Sequence, residues 1–250
     1  MIINPIGTPK VVASQKKLLE FLDENINGLS NGSILAIASK VISLCEGRVV
    51  AKDQADKYQL VRNEAELYYP AASNRYRHHF TITRNTILGA SGIDESNGGG
   101  YYVLLPDDVQ GTANKVRQHL KNRFDLKELG IVITDSTSIP LRLGAMGACL
   151  AYSGFKPIND YRGQSDLFGR AFRIERANVA EGLAAAAVLA MGEGDEQTPL
   201  CLITENSLIS FCDNDPKIEE LDTVFLSLKE DLFAPFFDNG NWQKGGRSKK

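Results

Sequence analysis

The sequence predicts a mixed α/β fold, and three observations carry that prediction. Short buried apolar runs, typical of strands, alternate along the chain with longer segments whose apolar residues recur at helical spacing. The composition is that of a globular protein, with 43% hydrophobic and 24% charged residues. The length of 250 residues is enough for one large domain or two small ones, each with an apolar core.

In the first half of the chain we expect two helices and four strands. The first helix follows Ser14, whose side chain is a candidate cap, and ends at Gly28. The second helix spans residues 54–69 and ends before Pro70. Residues 92–100 are polar and rich in glycine, which predicts a loop. The strands are expected at 34–38, 80–83, 87–90 and 101–105.

In the second half we expect three helices and three strands. The helices are expected at 109–124, 178–191 and, more weakly, 217–232. The strands are expected at 130–134, 145–154 and 199–204. The first of these strands is buried and is expected to end at Asp135. We expect residues 1–240 to form a single domain, with two lobes as an alternative, and residues 241–250 to form a flexible basic tail.

Charge and hydropathy exclude several classes of protein. The net charge of -3 argues against a nucleic-acid partner, because such proteins carry a basic surplus that neutralises phosphates. We expect no membrane partner, since no run approaches the ~20 apolar residues that cross a bilayer. The first residues lack the features of a signal peptide, and the four cysteines have no paired spacing. These features predict a protein of the reducing cytoplasm.

Polar side chains cluster at several places where predicted strands end. Ser39 and Lys40 follow a buried strand, where a lysine can meet a phosphate as a point charge; an ordinary surface lysine is the alternative. The segment GIDESN, with Asp94 and Asn97, collects oxygen ligands suited to Mg²⁺ or Mn²⁺. A solvated turn capped by Asp94 is the alternative there.

Two further segments carry candidate functional residues. Asp135 and Ser136 follow a buried strand, a frequent position for metal ligands in nucleotide enzymes, although a turn cap also fits. Arg142, Arg162 and Arg170 can fork onto carboxylates or phosphates of a substrate. A structural network of arginines and aspartates is the alternative. The sequence holds no P-loop, dinucleotide fingerprint or nucleophile elbow, so any phosphate would be bound by metals and scattered donors.

Read together, the segments resemble a known family. Between about Ser33 and Thr204 the chain contains, in order, ASKVISLCEGRVV, ITRNTILGASGIDESN, VLLPDD, VITDS with PLRLG, DYRGQSDLFGR and VAEGLAAAAVLAMGEGDEQTP. This order is similar to that of the coenzyme F420:L-glutamate ligase family. The GIDESN segment and the R-G-x-x-D-x-F-G-R pattern are specific when they occur together.

The resemblance implies a two-lobed ligase-like α/β fold with mixed sheets and an intertwined homodimer. It implies an enzyme that joins L-glutamate to a deazaflavin coenzyme precursor by amide bonds, using GTP or ATP, a divalent metal (Mn²⁺ or Mg²⁺) and K⁺. Carried onto this chain, it implies metal ligation by Asp94, Asp135 and Ser136. It implies nucleotide contacts from Ser39, Lys40, Asn97, Met191, Gly192 and Glu193, with a weaker match at residues 8–11.

The chain departs from the family pattern at two places. Leu44 stands where the family commonly has a second lysine, four residues after Lys40. The stretch from Ser136 to Arg142 replaces a common T-F-G-R-P-W-R, so that its first arginine is missing and its last is kept as Arg142. A folate that receives γ-linked glutamates is therefore an alternative acceptor for the same catalytic plan.

The mechanism that fits these residues is activation of the acceptor carboxylate as an acyl phosphate. Asp94 and Asp135 would hold the metals, Lys40 would add charge at the phosphates, and Glu95 would be a further ligand or an outer partner. The three arginines are expected at the acceptor, glutamate or phosphate without individual roles. A non-catalytic nucleotide-binding homologue and a metal-dependent phosphatase are alternatives of other classes.

Overall fold

The computed structural model describes residues 1–213, 215–216, 224–238 and 240–248. The strands are β1 (Ile2–Ile6), β2 (Ser33–Ala38), β3 (Val49–Ala51), β4 (Leu67–Tyr69), β5 (Phe80–Thr83), β6 (Thr86–Gly89), β7 (Tyr101–Val103), β8 (Leu129–Ser138), β9 (Ala145–Ser153), β10 (Ile158–Asp160), β11 (Arg176–Asn178), β12 (Leu200–Thr204) and β13 (Gln243–Lys244). The α-helices are α1 (Leu18–Asn25), α2 (Ser39–Glu46), α3 (Lys57–Glu64), α4 (Val109–Phe124), α5 (Val179–Met191) and α6 (Ala234–Asp238). The predicted mixed α/β class is confirmed.

The main sheet has the strand order β1-β12-β2-β8-β9. Its central strands β2 and β8 run parallel, and the other neighbours are antiparallel. One face is covered by α1, α2 and α4, and the other by α5. Strand β2 shows why both faces are covered. Leu35 and Ile37 pack in the first core, whereas Ile34 and Ala36 pack in the second, as the two-residue period of a strand requires.

A second, smaller unit surrounds a separate apolar cluster beside α3. Its sheet has the order β13-β4-β5-β6, and the β3–β7 ribbon lies next to it. The cluster contains four buried side chains, Val61, Ala90, Ile93 and Leu104. Ile93 stands directly before the loop that carries Asp94, so this cluster anchors one wall of the candidate site.

Several predicted boundaries differ from the structure. Helix α1 begins after Lys17 and ends at Asn25, and Ser14 does not cap it because its backbone turns into the left-handed region with φ 57°. The helix predicted at 54–69 is limited to α3, which is capped by Asp56. The last residues of that prediction instead pair with β5 as β4, so that tertiary pairing overrides the local pattern.

The carboxyl-terminal segment also differs from its prediction. The predicted helix at 217–232 falls partly outside the described residues, and its described part forms turns before α6. The described part of the predicted flexible tail is docked. Gln243–Lys244 pairs with β4, and Arg247 donates to Glu64 and to Asp107 at 2.9 and 3.0 Å. Among the described residues, no helix has the length and hydropathy needed to span a bilayer.

Close packing between β9 and α5 makes a first prediction. A Cβ atom at Gly147 would lie 2.4 Å from the Ala184 carbonyl oxygen and 2.7 Å from the Val188 Cβ. We expect Gly147→Ala to lower the free energy of unfolding by about 1–3 kcal/mol, because α5 must move away from the sheet. Urea denaturation measures this loss.

The matched control is Gly182→Ala on α5, the helix that packs against Gly147. Gly182 is exposed and has nothing within 4 Å of its hypothetical Cβ. We expect this change to raise stability by about 0.5–1 kcal/mol, because alanine favours the helix more than glycine does. Equal effects of the two alanines would contradict the packing described here.

Candidate active site

A cavity of about 620 Å³ opens at the end of the main sheet where β2 passes into α2. Its walls come from the start of α2, the loop 92–100, β8 and the loop 192–199. The cavity brings together the predicted residues Ser39, Lys40, Asp94, Asn97, Asp135, Ser136, Met191, Gly192 and Glu193. Because β2 and β8 are parallel neighbours, residues that follow or end these strands meet at one edge.

The loop that carries Asp94 enters the cavity through a strained turn. Ala90, Ser91 and Gly92 have successive φ values of 52°, 56° and 69°, in the left-handed region. The Ser91 hydroxyl donates to the Val61 carbonyl at 2.9 Å, and a Cβ at Gly92 would meet the Leu105 side chain at 2.9 Å. Strained backbone of this kind persists where the surrounding packing fixes it, and it is concentrated at functional sites.

Asp94 lies at the centre of a dense set of donors. Its Oδ1 accepts hydrogen bonds from the amides of Glu95 and Ser96, and its Oδ2 pairs with the Lys40 ammonium at 2.5 Å. Burial alone would raise the pKa of Asp94, but the hydrogen bond and charge of Lys40 and the Ser96 amide together lower it below its ordinary value. Asp94 is therefore a carboxylate anion at neutral pH.

Glu95 points away from this centre. Its carboxylate pairs with Lys57 at 2.7 Å and with Lys52 at 3.5 Å. Of the two roles considered for Glu95, a ligand or an outer partner, the geometry favours the outer one. It ties the loop to α3 and to the residue that follows β3 through exposed ion pairs, which are individually weak.

Asp135 faces Ser39 across the floor of the cavity. Strand β8 does not end at Asp135, as predicted, but continues to Ser138, with an irregular register between Ile133 and Thr134. Such irregularities re-aim side chains next to active sites. The Ser39 hydroxyl donates to Asp135 Oδ1 at 3.3 Å.

The pKa of Asp135 is raised to about 7, mainly by burial and further by the negative charge of Asp94. The Ser136 amide and the Ser39 hydroxyl oppose this rise without cancelling it. A cation bound beside this carboxyl group would lower its pKa and return it to the charged form.

The loop 192–199 closes the opposite side of the cavity. The Ser136 hydroxyl donates to the two carboxylate oxygens of Glu193 at 2.8 and 2.9 Å, which adds a third acidic side chain to the site. The Asn97 amide donates to the Gly194 carbonyl at 2.9 Å and so joins this loop to the Asp94 loop. The Thr198 hydroxyl donates to the Met191 carbonyl at 2.5 Å at the end of α5.

The three arginines predicted at the substrate do not line this cavity. Arg142 lies on the exposed turn between β8 and β9. The Arg162 guanidinium forks onto Asp160, with Nε at 2.9 Å and Nη2 at 2.5 Å, so the alternative of a structural ion pair holds for it. Arg170 lies on an exposed loop whose backbone is fixed by Asp166. Their role at a substrate stays a prediction.

Two groups of lining residues carried little or no signal in the sequence. Residues 8–11, a weak match to the family, form one wall, and the Thr8 amide donates to the Gln197 carbonyl at 2.9 Å. Leu44, which replaces the common second lysine, also faces the cavity. The pairing of Ser136 with Glu193 joins residues far apart in the chain, so no local spacing indicates it.

The cavity holds oxygen donors of the kind that a divalent metal binds. Among the residues that the structure describes, no three histidine, cysteine, aspartate or glutamate side chains come together as a ready-made metal site. Asp94, Asp135 and Ser136 offer hard oxygen ligands, which suit Mg²⁺ or Mn²⁺ when water and substrate phosphates supply the remaining positions. The residues therefore fit a metal that arrives with a phosphate ligand.

The raised pKa of Asp135 predicts a pH effect in the metal-free protein. Its pKa is about 7 in the folded chain, against an ordinary value of 3.8, so the folded state binds more protons than the unfolded state between these values. The contribution of Asp135 to stability therefore falls as the pH rises from about 4 to about 7. The difference between these two pKa values corresponds to about 4 kcal/mol, and we expect the partial exposure of Asp135 to reduce its effect to about half of that. Asp135→Asn should therefore be more stable than the wild type at pH 8, by about 2 kcal/mol, and equal to it near pH 4. Chemical denaturation at the two pH values checks this, and a difference that does not change with pH would contradict it.

Comparison with known proteins gives this site a context. Residues 7–205 match the family model described as F420-0:Gamma-glutamyl ligase. The Coenzyme F420:L-glutamate ligase of Methanothermobacter thermautotrophicus is 33% identical over 221 residues, which are 81% of this chain and 87% of the relative. The same-named protein of Methanopyrus kandleri is 31% identical and covers 79% of this chain and 84% of the relative. That of Methanocaldococcus jannaschii is 31% identical over 70% of this chain and 76% of the relative.

These matches confirm two predictions made from the sequence. The resemblance to the glutamate ligases extends over most of the chain and includes every segment that lines the cavity. The predicted enzyme class, an amide-forming acid–amino-acid ligase, is also confirmed. The chain belongs to the F420-0:Gamma-glutamyl ligase family.

Proposed function

We propose that this protein joins L-glutamate through an amide bond to a carboxylate of a deazaflavin coenzyme of the F420 class, driven by GTP or ATP. One observation carries the proposal: four segments that resemble the ligases converge on one cavity. Its volume of about 620 Å³ falls in the range usual for small-molecule sites, about 300–1,000 Å³. The relatives' names specify glutamate and coenzyme F420.

Asp94, Asp135 and Ser136 would hold the divalent metal, with Glu193 as a further oxygen ligand beside Ser136. When bound, Mg²⁺ or Mn²⁺ neutralises the charge of the triphosphate. K⁺ is proposed only from the resemblance. Lys40, Ser39, Asn97 and the segment from Met191 to Glu193 would contact the nucleotide, and Lys40 would supply the positive charge.

The proposed reaction has two steps. An oxygen of the acceptor carboxylate attacks the γ-phosphorus, the bond to the bridging oxygen breaks, and the nucleoside diphosphate leaves with the electron pair. The nitrogen of glutamate then attacks the acyl carbon, loses a proton, and expels inorganic phosphate. The chain positions both partners and excludes water, which would otherwise hydrolyse the acyl phosphate.

We propose that the protein forms a homodimer through its exposed apolar loops. Leu141, Leu143, Leu167 and Phe168 are almost fully exposed, between 94% and 99%. Large apolar side chains exposed to this extent are typical of protein–protein interfaces. Phe168→Asp is expected to shift the protein from dimer to monomer in analytical ultracentrifugation, and a wild-type monomer at all concentrations would contradict the proposal.

A reducing compartment fits the four free cysteines Cys45, Cys149, Cys201 and Cys212, so we propose a cytoplasmic location. Fractionation of cells that produce the tagged protein tests this location. Recovery in the soluble cytosolic fraction would support it.

The test of the function is a ligation assay with alternative acceptors. Purified protein is incubated with L-glutamate, GTP or ATP, and Mn²⁺ or Mg²⁺, with the deazaflavin precursor or a reduced folate in parallel tubes. Mass spectrometry is expected to find glutamyl residues added to the deazaflavin, and excess chelator is expected to stop the reaction.

The other outcomes separate the alternatives. Addition of glutamate to folate alone would indicate a folate polyglutamate ligase. Phosphate release without any need for glutamate would indicate a phosphatase. Nucleotide binding with no product from either acceptor would indicate a non-catalytic homologue.

A further inference from the structure

Both oxygens of the Asp94 carboxylate are already engaged by the chain itself. Oδ1 accepts the amides of Glu95 and Ser96 at 2.6 and 2.7 Å. Oδ2 accepts the Ser96 hydroxyl at 3.0 Å and lies 2.5 Å from the Lys40 ammonium. The amides belong to the same turn as Asp94, whereas the Lys40 side chain reaches the carboxylate from a different element, α2. Lys40 is thus the partner that a metal ion would have to displace.

The Lys40 ammonium occupies a position in which several oxygen atoms can bind a cation. Besides Asp94 Oδ2, Nζ lies 3.2 Å from the Ser96 hydroxyl oxygen and 3.4 Å from the Ser96 carbonyl oxygen. Three oxygens therefore surround one positive charge, at the point where the loop 92–100 meets the start of α2. A divalent cation at the same carboxylate would lie within a few ångströms of the ammonium, and like charges at that distance repel strongly in a partly buried site.

We infer that Lys40 holds the cation position of Asp94 until the nucleotide arrives, so that metal and nucleotide enter the site together and not in separate steps. This inference rests on the proposed function, in which Asp94 is a metal ligand. Without nucleotide, a metal must displace Lys40 and leave the ammonium unpaired beside a divalent ion. With nucleotide, the triphosphate oxygens accept the ammonium, and Asp94 becomes available.

The arrangement couples the two ligands by charge alone. The phosphates draw Lys40 off the carboxylate, which raises the affinity for metal, and a bound metal raises the affinity for phosphates by the same factor. Lys10 is the other lysine among the lining residues, but it belongs to a different segment, residues 8–11. Removal of the Lys40 side chain should therefore weaken the coupling between metal and nucleotide while it leaves the other lining residues unchanged.

The experiment measures Mn²⁺ binding by electron paramagnetic resonance, without and with a GTP analogue that resists hydrolysis. Lys40→Met is expected to bind Mn²⁺ about tenfold more tightly than the wild type when nucleotide is absent, because the competing charge is gone. The enhancement of Mn²⁺ affinity by nucleotide is expected to shrink correspondingly.

Lys52→Met is the matched control. The Lys52 ammonium lies 3.3 Å from the Glu95 carbonyl oxygen and pairs with the Glu95 carboxylate. The control therefore removes an equal positive charge that also contacts the loop 92–100, and it leaves the partners of Asp94 in place. Its Mn²⁺ affinity is expected to stay within about twofold of the wild type. Lys40→Gln provides a second variant if Lys40→Met does not fold, as judged by circular dichroism.

Two failures are distinguishable. In the first case, the wild type binds Mn²⁺ when nucleotide is present, but in the absence of nucleotide the Lys40 variants and the wild type bind Mn²⁺ equally tightly. The inference is then wrong and the proposed function stands. If the wild type binds no Mn²⁺ even with nucleotide, the metal dependence of the proposed function is wrong and the inference falls with it.

Discussion

Asp135→Asn is expected to lower the rate of ligation by about a thousandfold or more, since a metal contributes several kcal/mol to the transition state and an amide is a poor replacement for a carboxylate ligand. Asp135 lies on the cavity floor and is joined to Ser39 and, through charge, to Asp94. The variant should remain folded, because the native site already disfavours the charged carboxylate. Activity is measured by mass spectrometry and folding by circular dichroism.

The control for this variant is Asp53→Asn, an exposed aspartate outside the cavity. Its activity should match that of the wild type. An Asp135→Asn protein with normal turnover would remove Asp135 from the site. A loss of turnover that accompanies loss of fold would assign Asp135 a structural role instead.

Arg117→Met is expected to lower the free energy of unfolding by about 1–3 kcal/mol, because it leaves the buried Leu129 carbonyl and the partly buried Asp215 carboxylate without their donor. Arg117 is 2% exposed on α4. Its Nε donates to the Leu129 carbonyl at 3.0 Å, and its Nη1 and Nη2 donate to Asp215 and Asp213 at 2.8 and 2.7 Å. This one side chain joins α4, the start of β8 and the segment after β12.

Arg123→Met on the same helix is the matched control. Arg123 is more exposed and pairs with Asp23 at 2.9 Å, so its loss is expected to cost less than about 1 kcal/mol. Urea denaturation of the two variants compares them directly. Similar losses of stability would show that the Arg117 network contributes no more than a surface ion pair.

The longest elements were predictable because local signals and tertiary structure agree. Helix α4 matches its predicted span of 109–124, and its cap Asp108 accepts the Gly111 amide. Helix α5 follows Asn178, which accepts the Glu181 amide. Both helices combine a capping side chain with a sustained apolar face, and such agreement leaves few alternative structures.

Short elements were missed where their composition favours another structure. Helix α2 has eight residues and contains Val41 and Ile42, which favour strands. The sequence therefore predicts only that Ser39 and Lys40 follow a strand, and it does not predict that they begin a helix. Its end at Gly47, with φ 71°, is a helix signal that could have identified it. The long reach of β8 past Asp135 depends on pairing with β9, which local sequence does not encode.

Some features of the candidate site could likewise be predicted from the sequence, and others could not. Residues that follow adjacent parallel strands could be grouped from the sequence, because the fold class alone predicts that such strand ends meet. The contacts of Glu193 with Ser136 and of Asn97 with Gly194 depend on the paths of two loops, which spacing does not reveal. For the same reason, the distance of Arg162 from the cavity could not be read from its motif.

The measurement that most directly tests the central claim is a ligation assay in which the acceptor carboxylate is labelled with ¹⁸O. If the site activates the acceptor as an acyl phosphate, mass spectrometry will find a glutamyl-extended acceptor and one ¹⁸O atom in each phosphate released with it. Product formation with unlabelled phosphate would contradict activation of the carboxylate by phosphoryl transfer. Phosphate release without any extended acceptor would contradict the ligase function itself.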